Sequence, residues 1–332
     1  MRNRGISRIV PCVLTDLCRR TLTAARLDAL PAVLRRRPEL AALRYAIAAA
    51  DGDARAPGRA SYLGAATLNL ARWQRLEALL TAAHAEGLRL APVKGALLAR
   101  THYGDPGARP MVDIDLLCAP NEIERAVELG CGLGMARQDP ESFRQARQAT
   151  HDVKLVGDGV SIELHHRLWH ELRIARDVEP LLARARPLPF GANTAWALDD
   201  ADHLYVVCVH AATHGFVTNA LWMTDAALLV AGAREPLMPR VQALADAGHG
   251  RVALAAARDQ LRVTMPWLLL GEEHATTAPL RRAILRRMAP WLQRGERELG
   301  FWPGRVVRPL LFDRARDLGS WTLEKLAMWR GG

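Results

Sequence analysis

Two aspartates stand one residue apart in Val112-Asp113-Ile114-Asp115-Leu116-Leu117. If that segment is a strand, residues i and i+2 share a face, so the carboxylates lie side by side while Ile114 turns into the core. Like charges this close repel, and a cation between them relieves the repulsion. A lone Asp-x-Asp is common on solvated strand edges, but three neighbours point to chemistry here. Leu116 and Leu117 bury the rest of the strand. Glu163 lies in a second apolar run, between Ile162 and Leu164, and reaches the same face if the two runs pair. Lys94-Gly95 follows the apolar run 88–93 and opens a short helix through about Tyr103, which places a cation and backbone N–H groups where an anion docks. Three carboxylates on neighbouring strands, Asp113, Asp115 and Glu163, describe a two-metal site for phosphoryl transfer. The expected ion is Mg2+ (or Mn2+), which takes oxygen ligands and shares them with substrate phosphates.

Other side chains offer themselves to the same site. Arg109 has the planar donor fork that suits a phosphate; the competing reading is a loop arginine paired with Asp105 or Asp113. His165 follows Glu163 by two residues and could support it from behind. His210 and His214 are i, i+4 on a predicted helix, a spacing that suits zinc. Ala211 stands where a zinc helix of that kind carries glutamate, so packing beside the active site is the favoured reading for this pair. Trp222, on an apolar helix, reads as core rather than as a platform for a base.

These residues need a scaffold. Residues 13–50 read as two helices broken between Pro31 and Pro38, and 51–60 is a Gly-, Pro- and Asp-rich loop. A long helix follows over 61–86, with Leu63, Leu70, Trp73, Leu76, Leu79 and Leu80 as its apolar stripe. The texture then becomes α+β: strands are predicted at 88–93, 112–117, 151–156 and 160–165. Gly157-Asp158-Gly159 between the last two signals a hairpin. From Asp199 onward the pattern is helical. The expected division is an N-terminal helical segment (1–60), an α+β core (61–200) and a helical C-terminal domain (201–332).

At Pro92-Val93-Lys94-Gly95-Ala96-Leu97, Tyr103-Gly104-Asp105-Pro106-Gly107, Arg109-Pro110-Met111-Val112-Asp113-Ile114-Asp115-Leu116-Leu117 and Ile162-Glu163-Leu164-His165 the chain resembles the uncharacterised nucleotidyltransferases of the DNA-polymerase-β-like superfamily. His210, His214, Trp222 and Asp225 extend the likeness, which covers about 60–230. The resemblance implies a small mixed sheet with flanking helices and an NTP–Mg2+ substrate. It implies that Asp113 and Asp115 hold both metals, that Glu163 binds the catalytic metal and is a candidate base, and that Gly95 lies under the triphosphate, with Lys94 and Arg109 beside it. One departure stands out: the wider superfamily often has Gly-Ser at this loop, and here it is Gly95-Ala96, which removes a hydroxyl and leaves Lys94 as the point charge.

The bulk composition narrows the partners. A formal charge of +10 favours polyanions, yet arginine is scattered along the whole chain, so nucleic acid is the less favoured partner. The five cysteines form no Cys-x-x-Cys pair and suggest neither zinc nor a disulfide framework, which fits a reducing cytoplasm. The opening MRNRGISRIV has no signal-peptide pattern, and no apolar run approaches a membrane span. The leading expectation is a metal-dependent nucleotidyltransferase with an NTP donor and an unknown acceptor, a small molecule, modified peptide or glycan. A non-catalytic nucleotide-binding or regulatory protein and an RNA-modifying transferase are the alternatives.

Overall fold

A computed structural model of the chain describes residues 14–138, 151–168, 177–191, 193–217, 220–248, 250–268, 270, 279–294 and 306–330. The readings made on residues 1–12, Cys12 included, lie outside the described residues. No described helix is long and apolar enough to cross a membrane.

The sheet that carries the predicted carboxylates has five strands: β1 (Ala91–Val93), β2 (Ile114–Leu117), β3 (Ala136–Arg137), β4 (Asp152–Gly157) and β5 (Val160–His165). Their order is β1-β2-β5-β4-β3. The central pair β2–β5 is parallel and the other pairs are antiparallel, so the sheet is mixed and the fold is α+β, as the sequence predicts. The β4–β5 turn places Asp158 at φ 49° and Gly159 at φ 73°. Two consecutive positive φ values characterise a tight two-residue hairpin, and Gly reaches them without steric penalty. A second hairpin, β6 (Arg186–Phe190) with β7 (Asn193–Ala197), closes the α+β region. Beyond Ala197 every described element is a helix.

Each face of the central pair meets a different core. Ile114, Leu116, Ile162 and Leu164 pack with Leu76, Leu79 and Leu80 of the helix Arg59–Ala85 and with Ile123 and Ala126 of the helix Ile123–Gly132. Asp115, Leu117, Glu163 and His165 take the opposite face, because side chains alternate along a strand. There Val93 and Leu117 join a core built jointly by the N-terminal helices and the helices beyond residue 200. A slip of one residue would push Asp115 and Glu163 into the apolar layer, so burial fixes the register that the site needs. The N-terminal and C-terminal helical segments, separate in the sequence reading, thus share one core.

Two expectations about helices change. Residues 14–50 form four helices rather than two: Asp16–Thr21, Ala24–Asp28, Ala32–Arg35 and Pro38–Ala50. The Thr15 and Thr23 side chains cap the first two, accepting from Cys18 N and Arg26 N, and Pro31 and Pro38 begin the others. In the long helix, Leu63 and Leu70 are exposed, whereas Tyr62, Asn69 and Arg72 are buried. The reason is polar. Asn69 Nδ2 donates to the carbonyls of Pro106 (2.7 Å) and Arg109 (2.8 Å). Arg72 Nη2 donates to Val112 O (3.0 Å), and the Tyr62 hydroxyl donates to Asp105 Oδ2 (3.0 Å). Spaced at i, i+7 and i+10, these three lie along one side of the helix and hold the loop that leads into β2. Replacement of Asn69 by Leu should therefore leave two buried carbonyls unpaired and lower stability by about 1–3 kcal/mol; urea unfolding measures it, and an unchanged midpoint would refute the bracing role.

Candidate functional site

The parallel register sets Asp115 opposite Glu163 and Leu117 opposite His165. On the far side of β5, Lys154 of β4 faces Glu163. A row of charge therefore crosses the sheet. Lys94 Nζ donates to Asp115 Oδ1 at 2.7 Å, and His165 Nε2 lies 2.9 Å from the same oxygen. His165 Nε2 is 3.7 Å from Glu163 Oε2, and Lys154 Nζ is 3.2 Å from Glu163 Oε1. One ligand atom each from Asp115, Glu163 and His165 fall within 4.8 Å of one another.

Asp113 sits differently from its prediction. Strand β2 begins at Ile114, so Asp113 is the residue just before it. It is absent from the cluster of convergent ligand atoms. Arg72 Nη2 holds the carbonyl just before it, Val112 O. Asp113 still feels the site. Burial, with the charges of Asp115 and Glu163, raises its carboxyl to about 6, against the pull of Lys94 and Lys154. Burial would raise Asp115 too, but the Lys94 charge and the His165 hydrogen bond outweigh it and hold Asp115 well below the usual carboxylate range. This excess of negative charge, with hard oxygen donors on one strand face, fits a divalent cation.

Lys94 owes its place to an unusual backbone. Its φ of 51° and ψ of −130° are rarely adopted by a residue with a side chain. Its N–H donates to His203 Nε2 at 2.7 Å, from the helix Asp200–Thr213. For that nitrogen to accept, the ring must be neutral. Burial, with His102, Arg109 and Lys94 nearby, depresses His203 to about 3. Neither the strain nor His203 was read from the sequence; His203 lies 109 residues from its partner on an ordinary buried helix face. The expected helix after Gly95 is one α-turn, Gly95–Leu98, followed by a π-helical turn, Ala99–Tyr103. So short a helix carries little macrodipole, and the positive charge at this loop is that of Lys94 itself.

Gly95 lies beneath Arg109. A Cβ there would come 2.1 Å from Arg109 Nη1 and 2.9 Å from Met111 Cγ, so only glycine fits. Arg109, expected at a phosphate, directs its fork to Asp225: Nε to Oδ1 at 2.9 Å and Nη2 to Oδ2 at 2.6 Å. The Tyr103 hydroxyl donates to the same Oδ1 (2.8 Å) and meets Thr224 Oγ1 at 2.7 Å. Arg109, Asp225 and Tyr103 are all buried. The pair is neither of those considered for Arg109 in the sequence, because Asp225 lies 116 residues away. Ala96, the departure from Gly-Ser, is buried in the apolar layer with Ile114 and Leu116, where a hydroxyl would meet hydrocarbon.

The histidine pair stays near the charge row. The His210 and His214 rings pack at a tilt of 47°, with centroids 4.6 Å apart. Burial, then the Lys94 charge, depresses both, His214 to about 4 although its edge is open to solvent. Among the described residues they join no convergent group of three metal ligands. Trp222 is core, packed against Phe216.

The site thus lies on a mixed sheet whose parallel central pair carries Asp115 and Glu163 in register, beside the Lys94-Gly95 loop. The chain belongs to the family described as uncharacterised nucleotidyltransferase, whose profile matches residues 21–265. Among solved structures it is similar to the solution structure of the antibiotic-resistance factor ANT(2'')-Ia, with 12% identity and a TM-score of 0.40 over 54% of this chain and 91% of that one. Comparison with curated proteins finds no match.

Two outcomes follow from the buried pairs. Asp225→Asn should cost about 3–5 kcal/mol by leaving the Arg109 cation without its counter-charge, and Arg109→Met with Asp225→Leu should recover most of it; denaturant titration of both variants checks this. For His203, the unfolded chain takes up a proton near the ordinary 6.5 while the folded chain resists until about 3. Its contribution to stability is therefore complete above about pH 6.5 and is lost as pH falls towards 3. His203→Asn should flatten that acid limb by about 1.4 kcal/mol per pH unit, read from unfolding free energies at pH 4.5 and 6.5; parallel limbs would disprove the assignment.

Proposed function

We propose that the chain transfers a nucleotidyl group from an NTP to a hydroxyl or phosphate oxygen of an acceptor, with Mg2+ or Mn2+. The observation that carries this reading is the β2–β5 register, which sets Asp115 beside Glu163 on the face opposite the apolar layer. The acceptor oxygen attacks the α-phosphorus, the bond from that phosphorus to the bridging oxygen breaks, and pyrophosphate leaves with the electron pair. Glu163 takes the acceptor's proton. It is only partly buried, its Oε1 is balanced by Lys154, and its Oε2 faces the cluster. A divalent ion held at Asp115 and Glu163, with Asp113 close by, supplies positive charge to the phosphate oxygens and to the attacking oxygen.

The remaining roles belong to side chains. Lys94, paired with Asp115, would offer its ammonium to the triphosphate as a point charge on a flexible stem. Arg109 and Gly95 act together by shape: the guanidinium, held by Asp225, packs flat on Gly95 and keeps the nucleotide loop in place. His210 and His214, on the helical side of the Lys94–Asp115 pair, are neutral rings suited to hydrogen-bonding an uncharged part of a substrate. The acceptor class suggested by the family resemblance is a small molecule, a modified peptide or a glycan.

The test is a panel of four NTPs with candidate acceptors, reading pyrophosphate release with and without Mg2+ or Mn2+. Wild type should release pyrophosphate only with metal. Asp115→Asn should lower the rate on the order of 10²–10³-fold, as loss of a preorganised charge contact does, and should also destabilise the fold by freeing Lys94. Metal-dependent nucleotide binding without pyrophosphate release for any acceptor would instead favour a nucleotide-binding regulator.

A further inference from the structure

The alternation that sets Asp115 beside Glu163 applies once more along β5. Glu163 and His165 are i, i+2 on one strand and share a face. His165 Nε2 lies 2.9 Å from Asp115 Oδ1 and 3.7 Å from Glu163 Oε2. Two ligand atoms each about 2.1 Å from one ion stand roughly 3 Å apart at an octahedral right angle, and somewhat farther apart in a tetrahedral site. The observed separations bracket that range. A group that only supported Glu163 from behind would approach a carboxylate oxygen on the side away from the ion. The imidazole nitrogen is instead among the convergent atoms, and it meets Asp115 more closely than Glu163.

Lys154 takes the outer oxygen of Glu163, Oε1, while Oε2 faces His165. Lys94 Nζ and His165 Nε2 meet at the same Asp115 oxygen, one from a flexible side chain and the other from a buried ring fixed in the strand. Lys94 can yield its position, whereas the His165 ring is held. Asp113, expected to be the second carboxylate, stands outside the group.

We propose that His165 is a direct ligand of the divalent ion, completing an Asp115–Glu163–His165 set with one nitrogen and two carboxylates, and that the site consequently prefers Mn2+ to Mg2+. The inference rests on the metal-dependent reading given above and deepens it by naming the donor set. Carboxylates serve Mg2+ and Mn2+ alike, but imidazole favours the first-row transition ions. The nitrogen ligand is therefore the feature that separates the two.

Pulsed electron paramagnetic resonance on the full chain with Mn2+ alone tests the assignment without reference to turnover. The wild type should show 14N coupling of a bound imidazole, and 15N-histidine labelling should convert it to the 15N pattern, with no variant needed. His165→Gln should abolish the coupling while His210→Gln and His214→Gln retain it. Mn2+ affinity in His165→Gln should fall about tenfold or more, and the Mn2+-over-Mg2+ preference should narrow with it. Affinity alone would not decide, because losing a group behind a ligand also weakens metal binding by about 10–100-fold. Bound Mn2+ without nitrogen coupling, or coupling that persists in His165→Gln, would overturn the proposal and leave the metal-dependent transferase standing. Failure of the wild type to bind Mn2+ at all would overturn both.

Discussion

Crowded negative charge is the constraint on which the rest depends. Three carboxyl groups lie within one another's fields on and beside strand β2, and the apolar layer behind them offers no relief. The protein answers with cations of its own. Lys94 sits on Asp115 and Lys154 sits on Glu163. Asp113, which gains least from these partners, is the one whose carboxyl is raised to about 6. The contrast with Asp115, held far below the usual range on the same segment, shows how strongly proximity to Lys94 matters. In low dielectric the Lys94 contact and the His165 hydrogen bond together keep Asp115 ionised beside an acid that lacks both.

That ammonium arrives by a strained route. A non-glycine residue at φ 51° persists only when its surroundings fix it, at a cost of order 1–3 kcal/mol. Here three elements do so. His203 accepts from the Lys94 N–H, Arg109 covers Gly95 from the other side, and Asn69 and Arg72 hold the carbonyls of the loop that follows. Every one of these contacts is buried or partly buried, so water cannot replace it cheaply. The loop is thus preorganised before any substrate arrives, which fits the proposed nucleotide site.

The parts of this arrangement that could be read from sequence are those with a local period. Alternation located Asp115 and Glu163, and apolar flanks assigned them to strands. Gly157-Asp158-Gly159 marked the hairpin that fixes β4 against β5. The same alternation on Glu163-Leu164-His165 places His165 on the face of Asp115 and Glu163. The start of β2 was not legible, because strand ends depend on the loop before them, and that loop is held at Val112 O by Arg72, 40 residues away. The long helix misled for a related reason: a leucine stripe was legible, but the buried stripe of Tyr62, Asn69 and Arg72 has value only through the Asp105 carboxylate and the carbonyls of the loop. His203 and Asp225 were invisible as contacts because a buried polar residue on an apolar helix carries no periodic signal of its partner.

The helical region beyond residue 200 is therefore more than a cover for the sheet. The strand face carrying Asp115 would otherwise be open, with Lys94 unsupported and the Arg109 guanidinium without a counter-charge. His203 and Asp225 come from two different helices, Asp200–Thr213 and Leu221–Gly232, and each meets a residue flanking Gly95. Those helices pack in one core with the N-terminal helices. Any displacement of that helical body would reach the loop through two buried polar contacts rather than through loose surface packing. Because an unpaired buried charge is more costly than a shifted apolar contact, the loop and the helices should move together or not at all. The geometry at Lys94 is in this sense set from the C-terminal half of the chain, although every residue with a proposed metal or phosphate role comes from the α+β core.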